Sequence, residues 1–165
     1  MNSLLTGLKI SLPTLMCFTL IVFNACLYSL IPFYRVPIPF VLSVIFYFGI
    51  FHPAVLNVVC VFCLGLLADL IGASPFGLNT FFYVLLFFVA NLNRRFFLTL
   101  NFNDLWVSFC AVLASIFILW YLFFMLVGWT IVPFGPILFQ YAFLVLTYPI
   151  MAWICGWINL KIGGL

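Results

Sequence analysis

Long apolar runs, separated by short polar or turn-forming segments, occupy almost the whole chain. A helix needs about 20 apolar residues, rising about 1.5 Å each, to cross a hydrocarbon core of about 30 Å. Runs of this kind recur along the sequence, and no segment between them is large enough for a soluble domain. The pattern therefore predicts an all-α membrane protein with one domain, residues 1–165, and six transmembrane helices at about 12–31, 38–51, 54–72, 78–92, 105–129 and 137–159.

The second and third predicted helices come from one apolar stretch, which is interrupted at His52-Pro53. This stretch is too long for one span and a little short for two. Proline cannot continue a helical hydrogen-bond ladder, and it disfavours helical geometry in the residue before it, so we expect the break at this pair. The helix at 38–51 is then the shortest, and it would need an extension towards Tyr34 to cross the membrane fully.

Turn-forming residues separate the later runs. The segment 72–77 combines glycine, serine and proline, and 133–136 contains two prolines, so both predict turns. Asp104 stands at the start of the fifth run, where an acidic side chain complements a helix N-terminus. Pro149 lies within the sixth run, where we expect it to bend the helix.

Composition agrees with a membrane location, because 69% of the residues are hydrophobic and only 4% are charged. Soluble domains carry about 25% charged residues, which provide the polar surface that water requires. The apolar surplus of this chain must therefore face lipid. Five basic residues spread over 165 form no basic stripe, so the composition does not predict nucleic-acid binding.

The basic residues also predict an orientation. Six helices put four of the five basic residues on one side of the membrane and leave only Arg35 opposite. Cytoplasmic loops are enriched in lysine and arginine, so both termini of this multi-pass protein are expected in the cytoplasm. The cytoplasmic basic loop contains Arg94 and Arg95, which we expect to contact the head groups of anionic membrane lipids.

Asp69 is the one acidic residue inside a predicted span, where a charge is costly. Gly65, Asp69 and Gly72 follow one another at i, i+4 and i+7, with Ala68 beside them. Small residues at this spacing let another helix backbone approach closely. We therefore expect Asp69 to face a tight contact between helices and not lipid.

The next helix offers a partner for this carboxylate. Asn79 lies in its first turn and Tyr83 follows one turn later, while Pro75 and Gly77 set the geometry of the connecting turn. Two interpretations remain open. Asp69 and Asn79 join the two helices as a structural staple, or Asp69 lines a site for a ligand, a proton or a partner.

The chain contains no recognisable set of catalytic residues. Two acids and one histidine provide neither paired carboxylates nor a Ser-His-Asp arrangement, and no glycine loop resembles a phosphate-binding motif. Cys60-x-x-Cys63 matches half of a metal site, but a second cysteine pair is missing. The sequence therefore predicts no enzyme activity, no cofactor and no metal.

The segment 65–83, followed by Asn93-Arg94-Arg95, resembles the core pattern of the rod shape-determining MreD family. That pattern has Gly-Leu-x-x-Asp on the third helix, a turn of small residues, and a polar-aromatic start to the fourth helix. Similarity at the level of residues covers about 30 positions. By position, the family's motif residues are Gly65, Asp69, Pro75, Gly77 and Asn79.

The resemblance implies a non-enzymatic scaffold in the inner membrane of bacteria, where it would belong to the machinery for cell elongation and peptidoglycan synthesis. It implies a fold similar to the substrate-binding subunits of energy-coupling-factor transporters. The implied partners are the periplasmic scaffold MreC and, beyond it, the actin-like filament MreB, the RodA glycosyltransferase and a penicillin-binding transpeptidase. Because the chain has few charges, a direct contact with the filament would depend on Arg94, Arg95 and the short termini.

A second function is compatible with the same predicted fold. Asp69, Asn79 and Tyr83 form a polar set near the outer end of the bundle, and such a set could bind a small, vitamin-type molecule in a transporter subunit. The other outer loops, around Arg35 and 129–136, add few polar groups to enclose a ligand. The scaffold is therefore the main hypothesis and the transporter subunit is the alternative.

Overall fold

A computed structural model of the protein describes residues 13–26, 39–53, 55–72, 76–126 and 134–162. Within these ranges the chain forms helices and turns, with no strand. This confirms the prediction of an all-helical fold for the described part of the chain. The helices are α1 (Pro13–Cys26), α2 (Val41–Phe51), α3 (Val58–Ile71), α4 (Leu78–Leu92), α5 (Arg94–Phe97), α6 (Phe102–Leu126) and α7 (Phe134–Ile162).

The helices form a bundle with two ends. α3 and α4 pack as an antiparallel hairpin, and α2 runs alongside α4 in the same direction, with Gly49 of α2 against Ala90 near the last turn of each. We call the end where α2 and α4 finish and α3 begins the Arg94 end. The opposite end, where α3 finishes at Asp69 and Gly72, is the Asp69 end.

The short helix α2 lies at the centre of the bundle. Ten of its 11 residues are buried. A helix that is apolar on every side is stable only when it is surrounded, because it has no face for water. The Phe46 ring contacts the rings of Phe97, Phe109 and Tyr148, with centroids 5.5, 5.1 and 6.2 Å away. Other helices therefore cover α2 and separate it from lipid.

α2 is too short to cross a membrane as one regular helix. Eleven residues extend about 16 Å, roughly half of the hydrocarbon thickness. The predicted helix 38–51 is wrong at its start, since residues 39 and 40 are not helical. The polar groups at the ends of α2 must therefore find partners within the protein.

Among the residues that the structure describes, two helical segments are long and apolar enough to span a membrane: Phe102–Phe123 in α6 and Phe134–Ile158 in α7. Only 22% and 28% of the residues in their most apolar windows are buried, so these are not the core helices of a soluble protein. The shorter apolar helices are α1, α2, α3 and α4. α1 packs on the bundle through Cys17 and Ile21, both of which are buried.

α6 and α7 are antiparallel and are joined by side-chain hydrogen bonds to main-chain carbonyls. The Trp106 indole donates to the Val145 carbonyl at 3.1 Å, and the Tyr141 hydroxyl donates to the Cys110 carbonyl, also at 3.1 Å. Each of these bonds buries a polar side-chain atom against a carbonyl, which is how tyrosine and tryptophan are accommodated in apolar surroundings. The interface therefore has a defined register along both helices.

Several predicted helix ends are wrong by a few residues. The third helix begins at Val58 and not at residue 54, because the Asn57 side chain accepts the Val58 N–H at 2.7 Å and so caps the helix there. The helices that correspond to the fifth and sixth predicted ones, α6 and α7, begin three residues before the predicted starts, at Phe102 and Phe134. Pro136 therefore lies in the first turn of α7, where a missing N–H costs no helical hydrogen bond.

The ends of some predicted helices lie outside the described residues. This applies to residues 27–31 of the first predicted helix and 127–129 of the fifth. The predicted third helix ended at Gly72, whereas α3 ends one residue earlier and Gly72 is its C-cap, donating its N–H to the Ala68 carbonyl at 2.8 Å. The turn 73–75 that follows is not described.

Candidate functional site

Asp69 lies in the last turn of α3, and its side chain is only 4% exposed. The carboxylate points to the start of α4, across the turn that joins the two helices. Oδ1 accepts the main-chain N–H of Asn79 at 2.9 Å. Oδ2 accepts the N–H of Gly77 at 3.0 Å, and the N–H and hydroxyl of Thr80 at 3.2 and 2.6 Å. One carboxylate therefore accepts four hydrogen bonds from a single short segment.

The start of α4 explains why these donors need an acceptor. The first N–H groups of a helix have no carbonyl partner within that helix. They are commonly satisfied by the side chain of the N-cap residue, but here the N-cap is Gly77, which has none. Asp69 supplies the missing oxygen atoms from the preceding helix. Its negative charge also lies at the positive end of the α4 dipole.

The backbone conformation at position 77 favours glycine. The φ of Gly77 is +91°, in the left-handed region that residues with a Cβ rarely adopt. This conformation turns the chain so that the N–H groups of Gly77, Asn79 and Thr80 all reach the carboxylate. A Cβ at Gly77 would meet no atom within 4 Å, so backbone geometry and not crowding selects glycine here.

Gly65 lies one turn before Asp69, at the closest approach of α3 to α4. A Cβ built on Gly65 would be 2.4 Å from the Cα of Thr80 and 3.1 Å from its N. No side chain fits in that space without separating the helices. Small residues allow such close packing within membranes, where van der Waals contact takes the place of the hydrophobic effect.

The other predicted site residues are distributed around this contact. Asn79 contributes its main-chain N–H, and Tyr83 lies one turn deeper in α4 and is buried, 5% exposed. Gly72 ends α3. Pro75 lies outside the described residues. The structure thus brings Gly65, Asp69, Gly77 and Asn79 together.

Thr80 was missed by the sequence analysis, although it contributes two of the four donors to Asp69 and the backbone that faces Gly65. Its position offered a signal, because it is the third residue of a helix whose N-cap is glycine. A buried hydroxyl at that position can donate to whatever acceptor caps the helix.

Arg94 occupies an equivalent position at the other end of the bundle. Its Nε donates to the Ile50 carbonyl at 2.7 Å, and its Nη2 donates to the Phe51 carbonyl at 3.4 Å. These are the last carbonyls of α2, which have no N–H partner within the helix. The guanidinium satisfies them and places a positive charge at the negative end of the α2 dipole.

The two arginines therefore differ, although the sequence analysis grouped them as one basic loop. Arg94 is half-buried and bonded to α2, whereas Arg95 is exposed. Arg94 thus bonds in part to α2, and contact of the two side chains with lipid head groups stays a prediction. The contact of Arg94 with α2 satisfies carbonyls that the helix itself leaves without a donor.

The described residues contain no group of three or more histidine, cysteine or acidic side chains that could bind a metal ion. Cys60 and Cys63 are free, and Cys63 is exposed on α3. In the Asp69 cluster the carboxylate acts as a hydrogen-bond acceptor, and all four of these hydrogen bonds come from donors of its own chain.

The sequence model of one family, described as rod shape-determining protein MreD, matches residues 8–158. No curated protein and no solved structure is significantly similar to the chain. The family match extends over nearly the whole chain and includes Asp69, Thr80 and Arg94. The chain therefore belongs to the MreD family of membrane proteins, which acts in the determination of rod shape.

Proposed function

We propose that this chain is a non-enzymatic scaffold of the bacterial cell-elongation machinery and that it binds partner membrane proteins through the faces of its helices. The observation that carries the proposal is the family match over residues 8–158. The family is part of a rod-shape system that also includes MreB and MreC. A periplasmic scaffold protein similar to MreC is therefore the first partner to test.

The distribution of polar groups supports contact within the membrane. The two charged side chains with described bonds, Asp69 and Arg94, are engaged inside the bundle. The exposed side chains of α3, α4, α6 and α7 are mostly apolar. A partner helix would then pack against apolar faces, by van der Waals contact, and not through exposed ion pairs. Contact with an MreB-like filament would depend largely on Arg95 at the Arg94 end.

We further propose that the whole chain is one domain with six membrane segments, which contain α1, α2, α3, α4, α6 and α7, and that the segment of α2 crosses the inner membrane together with the residues that precede this helix. The Arg94 end would face the cytoplasm, since Arg94 and Arg95 lie there and α7 finishes there beside Lys161. This orientation puts both termini in the cytoplasm. As part of the same proposal, the fold is similar to that of the substrate-binding subunits of energy-coupling-factor transporters.

The alternative, a transporter subunit that binds a vitamin-type molecule, is not favoured. Its polar set was Asp69, Asn79 and Tyr83, but the acceptors of the Asp69 carboxylate are occupied by donors of α4 and its turn. Tyr83 is buried, 5% exposed. A ligand at this position would have to displace hydrogen bonds that start α4.

Photocrosslinking from single positions tests the scaffold proposal. A photoreactive phenylalanine analogue replaces one exposed phenylalanine at a time in the full chain, in cells that contain the MreC-like protein. Crosslinks to that protein are expected from the positions on one helix face and not from all of them. One exposed position is chosen on each of four helices: Phe62 in α3, Phe88 in α4, Phe102 in α6 and Phe139 in α7.

Phe48 and Phe109, both fully buried, are the matched controls and should give no crosslink to a partner. Cell shape is measured in the same strains after depletion of the natural chain. The proposal is wrong if no exposed position captures the MreC-like protein and the depleted cells keep their rod shape.

A further inference from the structure

Pro149 lies inside α7 and removes one main-chain hydrogen bond from it. In a regular α-helix the N–H of residue 149 would donate to the carbonyl of Val145, four residues earlier. Proline has no N–H, so the Val145 carbonyl lacks its helical partner. The indole N–H of Trp106, on α6, donates to this same carbonyl at 3.1 Å. A side chain of another helix thus replaces the missing donor.

The Tyr141 hydrogen bond between α6 and α7 provides a comparison for the Trp106 hydrogen bond. The Tyr141 hydroxyl also donates to a main-chain carbonyl at 3.1 Å, that of Cys110. The residue four positions after Cys110 is Ala114, which has its own N–H, so this carbonyl already has a helical donor. The Tyr141 bond is therefore additional, whereas the Trp106 bond takes the place of a lost one.

The turn before Pro149 has a further feature that weakens a helix. The Thr147 hydroxyl donates to the carbonyls of Phe143 and Leu144 at 2.9 and 3.2 Å. Bonds from threonine back to the preceding turn bend helices, as proline does. Two causes of bending thus meet within three residues, at the position that Trp106 contacts.

Pro149 lies between two parts of α7. The part before it bonds to α6 through Tyr141 and Val145 and also contacts α2 through Tyr148. After it, Cys155 is fully buried and Gly156 lies against the Tyr47 hydroxyl of α2. We call residues 150–162 the α7 arm. The arm also presents exposed Trp153 on its outer side, 75% exposed.

We propose that Trp106 acts as a latch on a hinge at Pro149 and thereby fixes the direction of the α7 arm. Without the indole donor, the Val145 carbonyl would be left without a partner in apolar surroundings, and the turn around Pro149 would open to find one. The arm would then move relative to α2 and expose what it buries. This inference is independent of the proposed scaffold function.

The alkylation rate of Cys155 reports movement of the α7 arm, because this residue is fully buried while the arm is packed on the bundle. The full chain in detergent is treated with N-ethylmaleimide, and each cysteine is followed by peptide mass spectrometry. Trp106→Phe is expected to raise the Cys155 rate about three- to tenfold, the equivalent of one lost hydrogen bond within a membrane protein. Cys63, which is already exposed, should keep its rate.

Pro149→Ala provides the decisive comparison, since alanine restores the N–H that bonds the Val145 carbonyl. The double variant Trp106→Phe/Pro149→Ala should therefore react at Cys155 no faster than Pro149→Ala alone. Tyr141→Phe is the matched control, and it should raise the rate less than Trp106→Phe does, because the Cys110 carbonyl keeps its helical donor.

The latch is wrong if Trp106→Phe leaves the Cys155 rate unchanged. It is equally wrong if Trp106→Phe raises the Cys155 rate by the same factor in the natural chain and in Pro149→Ala. Trp106 would then stabilise the arm by packing and not by its hydrogen bond. If Trp106→Phe does not accumulate, accumulation of the double variant supports the latch, and failure of both variants overturns it.

Discussion

The two ends of the bundle use the same principle with opposite charges. At the Asp69 end, an acidic side chain satisfies the N–H groups that begin α4. At the Arg94 end, a basic side chain satisfies the carbonyls that finish α2. In each case the charge lies at the end of the helix dipole that it complements and belongs to a different helix or turn. Two of the seven charged side chains of this chain thus satisfy the ends of helices inside the bundle.

The two ends differ in how the charged group reaches its partners. Asp69 has a short side chain, so it can accept four hydrogen bonds only because Gly65 lets α3 and α4 come into contact. Arg94 has a long side chain and reaches the last carbonyls of α2 from the segment that follows α4. Asp69 is buried, whereas Arg94 is half-buried. We therefore expect the Asp69 end to tolerate substitution less well.

Asp69→Ala should have the largest effect. The variant leaves three N–H groups and one hydroxyl without their acceptor in a buried site. At about 0.6–1 kcal/mol for each bond, the free energy of unfolding should fall by about 2–4 kcal/mol. It is measured by denaturant titration of the full chain in micelles. Asp104→Ala, which removes an exposed acid from the first turn of α6, is the control and should change it less.

The same variant separates the two interpretations of Asp69. A structural staple predicts lower stability, with loss of rod shape only in proportion to lost protein. A functional site predicts normal stability and accumulation together with lost rescue of cell shape. Unfolding in micelles and rescue of depleted cells, measured side by side, distinguish these outcomes.

Gly65→Ala tests whether close backbone contact is what the short Asp69 side chain requires. The new Cβ would lie 2.4 Å from the Thr80 Cα, so α3 and α4 must separate. We expect a loss of about 1–3 kcal/mol, as for other overpacked sites. Gly135→Ala is the matched control, because a Cβ there meets no atom within 4 Å. Equal stability of both variants would show that the contact at Gly65 is not a constraint.

Arg94→Gln should have the smallest effect of the three. It removes donors from the Ile50 and Phe51 carbonyls, but a half-buried site allows water or head groups to replace some of them. We expect a loss of about 1 kcal/mol, near the net value of an ordinary hydrogen bond. Arg95→Gln, at an exposed neighbour, should change unfolding less. A larger loss for Arg94→Gln than for Asp69→Ala would reverse the ranking of the two ends.

Prediction from the sequence was most successful where a property depends on one helix at a time. Apolar runs predicted an all-helical membrane protein, and Gly65 and Asp69 at i and i+4 predicted a tight contact for that face. It was wrong about the start of α3, because the capping bond of Asn57 outweighs the apolar character of residues 54–57. It also grouped Arg94 with Arg95, since the sequence does not show that Arg94 contacts α2.

By itself the sequence determined that this chain must lie in lipid, because a chain with only 4% charged residues cannot form a surface that faces water. It also determined the class of fold, because a long apolar run in lipid can satisfy its backbone hydrogen bonds internally by forming a helix. Only the tertiary structure decided that α2 is enclosed and that Asp69 and Arg94 complete helices other than their own. Arg94 and its acceptors are 44 and 43 positions apart, and the bonds of Asp69 depend on how closely α3 and α4 pack, which the order of residues does not specify.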